Sequence, residues 1–143
     1  MNIEEIKIMN TPQQIRDSYG DTVEQFAERL HVLPQTVKGW EDGTEPQATA
    51  LALLKYADAY PLPLEPRISP DFEALTLADQ LQTLMDNFGD KTQKQFAERI
   101  GIPDWNITQW LKNGSLSNHA QRYLYEVAIH PERFTVTPKS FKK

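Results

Sequence analysis

The chain has 143 residues, 15 Lys/Arg against 20 Asp/Glu, a net charge of -5 and a mean hydropathy of -0.58. This length admits one or two domains, and the 39% apolar content fills two small cores rather than one large one. The absence of cysteine excludes disulfides, thiol catalysis and Cys-based zinc sites. No apolar run approaches the roughly 18 residues of a membrane span. Residues 1–10 lack the apolar core of a signal peptide, so a cytoplasmic location without membrane contact is expected.

The charge is uneven. Residues 1–66 carry 5 Lys/Arg and 11 Asp/Glu, whereas residues 67–143 carry 10 and 9. An anion-binding surface must therefore be local, and the second half is the better place for it.

The chain repeats itself. Gln25-Phe26-Ala27-Glu28-Arg29-Leu30 returns as Gln95-Phe96-Ala97-Glu98-Arg99-Ile100. The register continues through Val32/Ile102, Val37/Ile107, Trp40/Trp110, Ala50/Ala120 and Leu54/Leu124. Upstream, Gly20-Asp21 matches Gly89-Asp90 after a one-residue change in length. This reads as a tandem duplication of a unit of about 50 residues, too few copies for a solenoid. The expected domains are 1–60 and 75–134, with a Pro-rich linker at 61–74 and a basic tail at 135–143.

In the first copy, Thr11-Pro12-Gln13-Gln14 is a helix start with a cap, a proline at N1 and a capping-box glutamine. That helix runs to Tyr19 and stops at Gly20. Asp21-Thr22-Val23-Glu24 opens a second helix with Val23, Phe26, Ala27 and Leu30 on one face. His31-Val32-Leu33 is a turn. Pro34 starts a third helix with Val37 and Trp40 inward, ended by Asp42-Gly43. Pro46 is expected to open a fourth. The linker holds four of the ten prolines and reads as extended, with its leucines and Ile68 pointing to part of it packing on a domain. The second copy predicts helices over Leu75–Phe88, Thr92–Ile100, Asp104–Lys112 and Ser117–Ile129. No stretch alternates with period two. The predicted fold is all-α: two tandem helix-turn-helix bundles of four to five helices each, joined by the linker.

A helix of about eight residues, a three-residue turn and a second short helix have the spacing of a DNA-binding helix-turn-helix. Ala27 and Ala97 are small where the next helix must cross closely. Burying Val37 with Trp40, and Ile107 with Trp110, leaves the opposite face of each second helix for a partner.

The run Phe26-Ala27-Glu28-Arg29-Leu30-His31-Val32-Leu33-Pro34-Gln35-Thr36-Val37-Lys38-Gly39-Trp40 resembles the core of the Cro/CI-type, lambda-repressor-like helix-turn-helix family. The following Thr44-Glu45-Pro46 through Leu54 is similar to HigA-type antitoxins and related small regulators. The resemblance covers residues 11–60 well and 80–130 more loosely. It implies a double-stranded DNA-binding transcriptional regulator, most simply a repressor, with two heads reading adjacent major grooves. It places Gln35, Thr36 and Lys38 on the first recognition helix, with Thr22 at the preceding helix start. Pro34, Gly39 and Val23 depart from the family pattern, Val23 standing where a phosphate-binding glutamine is usual. The family's Arg–Glu pair matches Arg16 and Glu41; Asp86 and Leu111 replace it in the second copy.

In the second copy Thr92 and Gln93 fit a phosphate clamp at a helix start. Trp105, Asn106, Thr108 and Gln109, then Lys112 and Asn113, fall on the recognition side. Asn106 and Gln109 share a face and suit an adenine edge. Trp105 lies off the apolar face. The carboxylates at Asp17, Asp21, Glu24, Asp86 and Asp90 read as caps and solvated surface. His31, His119 and His130 lack metal-ligand spacing, and no phosphate loop or nucleophile pattern is present, so no enzyme, metal, cofactor or small-molecule substrate is expected. A second reading is a helical interaction module, or antitoxin-like adaptor, in which one or both heads bind protein. A homodimer is left open.

Overall fold

A computed structural model describes residues 10–134. The fold is all-α, with no strand among the described residues, and the chain divides into two compact units, Met1–Glu65 and Pro66–Lys143. The tail at 135–143 lies outside the described residues. No helix among them is long and apolar enough to cross a membrane.

The first unit contains α1 (Pro12–Tyr19), α2 (Val23–Leu30), α3 (Pro34–Glu41) and α4 (Ala48–Ala59). Both α1 and α2 begin on complete capping boxes, Thr11 with Gln14 and Thr22 with Gln25. A good cap contributes about 1 kcal/mol, a large share for helices of only eight residues. Gly20 ends α1 in the left-handed region at φ 69°. Ile15, Phe26, Ala27, Leu30, Val37, Leu53 and Leu54 are all buried, and Trp40 closes the set. Each large member contributes about 1.5–3 kcal/mol by leaving water. The fourth helix starts at Ala48, not Pro46, because Gln47 stays extended at ψ 163°.

The Pro-rich stretch packs in part. Leu62 is buried, and its N–H donates to the Tyr19 hydroxyl at 3.0 Å. That hydroxyl donates to the Ala57 carbonyl at 2.6 Å, and burial pushes its pKa up. The stretch also contains a short helix that an extended reading misses.

The second unit opens with that helix, α5 (Pro70–Glu73), then α6 (Leu77–Phe88), α7 (Gln93–Ile100), α8 (Asp104–Asn113) and α9 (Asn118–Ile129), closing on a 3-10 turn at Pro131–Phe134. Ser69 caps α5 and Pro70 occupies its first turn, the one helical position that suits proline. Gln80 anchors it by donating to the Phe72 carbonyl at 3.0 Å. The next helix starts at Leu77 behind a Thr76 cap, two residues later than the apolar pattern predicts. Leu81, Leu84, Phe96, Ala97, Ile100, Ile102, Ile107, Trp110, Leu124 and Val127 form the core.

An ion-pair clasp appears in both units. Arg29 donates to both Asp21 oxygens, at 2.8 and 3.0 Å, and to the Leu62 carbonyl at 2.6 Å. Arg99 donates to both Asp90 oxygens at 2.8 Å and to the Phe134 carbonyl at 3.0 Å. Each guanidinium lies 4.6 Å from an aromatic ring centre, Tyr19 in one unit and Phe88 in the other. The Asp90 side chain is fully buried and that of Asp21 is only 6% exposed, which corrects the expectation of solvated carboxylates at both. Each clasp ties the first of its paired helices to a segment that follows the unit's long closing helix, at Leu62 in one and Phe134 in the other.

Candidate nucleic-acid interface

In each unit a helix of eight residues meets the next across a tight turn: α2 with α3, and α7 with α8. The first turn uses His31 at φ 59°, and the second uses Gly101 at φ 78°. The buried Ala27 and Ala97 let the paired helices approach.

Neither α3 nor α8 has a side-chain cap, since Leu33 and Pro103 hold those positions. In α8 the backbone N–H groups of Asp104 and Trp105 have no acceptor among the described residues. In α3 the first of the two matching groups is missing, because Pro34 has no N–H.

The predicted residues of α8 separate into two sets. Trp105 is 59% exposed. Gln109 and Lys112 are exposed and make no side-chain bond among the described residues. These three stand at i, i+4 and i+7, so they form one stripe along the helix. Asn113 is exposed at its C-terminal end.

The second set turns inward. Gln93 donates to the Asp104 carbonyl at 3.0 Å and to the Thr108 hydroxyl at 2.6 Å. Both its amide protons thus brace α7 against α8, and a phosphate clamp would require one of them to be released. Thr108 shares that brace. The Asn106 side-chain oxygen is buried without a hydrogen-bond partner among the described residues. Bidentate reading of adenine needs both ends of the amide, so Asn106 and Gln109 do not form a joint reading pair in this arrangement.

Thr92 and Thr22 act as caps, accepting from Gln95 and Gln25 at 3.1 Å each. Each hydroxyl keeps its proton for an outside acceptor. In α3, Gln35 and Lys38 are exposed and Thr36 is half-buried.

Two cations escaped the sequence reading. Lys91 and Lys94 flank Thr92-Gln93, are exposed, and have no side-chain partner among the described residues. Two lysines around a helix cap were the available signal. Lys91 occupies the one-residue insertion, and its backbone N–H is satisfied by the Gln95 side chain at 2.7 Å.

The matching positions of the first unit reverse the charge. Glu24 stands for Lys94, and Asp42 stands for Lys112. Glu45 replaces Ser115, and Lys91 has no counterpart. These carboxylates are exposed and unpaired among the described residues. Glu41 is committed elsewhere, accepting from Arg16 at 2.7 and 3.1 Å as the resemblance implies. That hydrogen-bonded pairing raises the Arg16 pKa further.

No cluster of His, Cys, Asp or Glu among the described residues is arranged to hold a metal ion. Comparison with known proteins found no match to a family model, a curated protein or a solved structure.

Proposed function

We propose that the protein is a sequence-specific, double-stranded DNA-binding transcriptional regulator, of the repressor type, in which the second unit reads the bases. The observation that carries this reading is the Trp105–Gln109–Lys112 stripe, uncovered on a short helix and flanked by the uncommitted Lys91 and Lys94. Lysines at the rim neutralise phosphate and set the register, while Gln109 is the group able to bond a base edge. Trp105 offers an apolar face to a thymine methyl or a sugar. A version with both heads in adjacent grooves would bring Glu24, Asp42 and Glu45 toward phosphates, which favours a single reading head.

A random-duplex binding selection on the purified chain tests this. One enriched site is expected, with affinity falling steeply as salt rises. Gln109→Ala should relax preference at one position by about 1–3 kcal/mol. Lys91→Ala and Lys94→Ala should leave the preferred sequence intact and each lower the salt slope by about one. Enrichment of no sequence, or a site indifferent to Gln109→Ala, refutes the reading.

A further inference from the structure

We infer that the helix-turn-helix face of the first unit is a docking surface for a basic protein segment with an apolar anchor. Four differences at matching positions point the same way. Where the second unit has Gln93, Pro103, Asp104 and Gln109, the first has Val23, Leu33, Pro34 and Gly39. Three of these add carbon surface, and the fourth removes the only uncommitted amide of the stripe.

Gln93 reaches the first turn of α8 in the second unit, and Val23 is the half-buried residue at the matching position of the first. Leu33 holds the cap position of α3 and is 61% exposed, and Pro34 is exposed next to it. Leu33 and Pro34 are neighbours, so together they give this turn an uncovered apolar face that a partner's apolar side chain can cover.

Charge selects the occupant. Glu24 follows Val23 in the first turn of α2, and Asp42 and Glu45 follow the far end of α3; all three are exposed. These three exposed carboxylates of the helix pair, one on the first turn of α2 and two after α3, outnumber its exposed cation on α3. Lys38 is the one exposed cation on α3. Nucleic acid and anionic lipid are repelled by such a face, whereas Lys or Arg beside an apolar residue complements it. The two units then divide the work: one contacts DNA and the other recruits a protein to it.

The test uses the full chain, immobilised and panned with a displayed library of random twelve-residue peptides. Enriched peptides are expected to pair Lys or Arg with a large apolar residue. A synthetic copy of the leading peptide should lose at least tenfold affinity for Leu33→Ser, and likewise for Glu24→Lys/Asp42→Lys. All three side chains are exposed, and circular dichroism melts confirm that the variants fold. Lys94→Glu/Lys112→Glu should abolish duplex binding and leave peptide binding unchanged, so this inference and the DNA reading fail separately. Enrichment without a basic bias, or peptide binding indifferent to Leu33→Ser and the charge reversals, overturns the docking surface. So does a selected duplex whose sequence changes with Gln35→Ala, which would put this face on DNA.

Discussion

Arg99 holds Asp90 and the Phe134 carbonyl at once, so one guanidinium joins the start of α7 to the last described residue of its unit. The Asp21–Arg29 clasp holds the Leu62 carbonyl in the first unit, with the arginine more open: its side chain is 16% exposed against 6% for Arg99. Removing one partner from a buried pair strands the other charge, at a cost of about 3–5 kcal/mol. Asp90→Ala should therefore destabilise the second unit by roughly that amount, and Asp21→Ala should cost less in the first. Urea unfolding followed by Trp fluorescence gives both values. Equal costs would show that burial does not set the strength of the clasp.

Two glycines should respond in opposite directions to alanine. Gly39 lies inside α3, where a Cβ would meet only Thr44, at 3.7 Å, an ordinary contact. Gly39→Ala should stabilise the first unit by about 0.5–1 kcal/mol through helix propensity and lower unfolded-chain entropy. Gly101 ends α7 at φ 78°, which alanine adopts only with strain. Gly101→Ala should destabilise by about 1 kcal/mol. Thermal melts of the two variants check the pair.

His119 gives the second unit a pH dependence. Burial lowers its folded-state pKa, and its ring lies 3.3 Å from the Ser117 hydroxyl. The unfolded chain then binds the proton first, near the ordinary value of about 6.5. Stability should be complete above that pH and fall as pH drops through it toward the folded-state pKa. His119→Gln should flatten this part of the profile. Unfolding midpoints from pH 7.5 to 5 for both proteins test the sign, and a wild-type midpoint that rises on acidification contradicts it.

The frame of each helix-turn-helix was legible because its signals are local. Capping boxes, the left-handed stop at Gly20 and the i, i+3, i+4, i+7 set from Val23 to Leu30 need no knowledge of distant residues. Arg16 and Glu41 were legible only through the family resemblance. The fate of the amides was not legible. Periodicity says which face of α8 is inward but not where an amide at its edge points, and so Gln93 became a brace and the Asn106 oxygen turned inside. Asp90 was misread because an aspartate after a glycine looks like a cap. Its burial depends on Arg99, nine residues later, and on a segment at Phe134. The helix at Pro70–Glu73 was hidden by its neighbours, since prolines at 61, 63 and 66 favour extended chain while Pro70 alone sits where a helix begins.

The extra residue at position 91 has a consequence for how the units came to differ in charge. Any inserted residue brings a new amide that must find an acceptor, and most loop insertions leave one stranded or dismantle a cap. Here the Gln95 carboxamide takes the newcomer at 2.7 Å while still holding the Thr92 amide at 3.2 Å. The salt link behind it tolerates the added length, with Asp90 and Arg99 nine apart where Asp21 and Arg29 are eight. A single codon could thus plant one of the rim's cations without repair elsewhere.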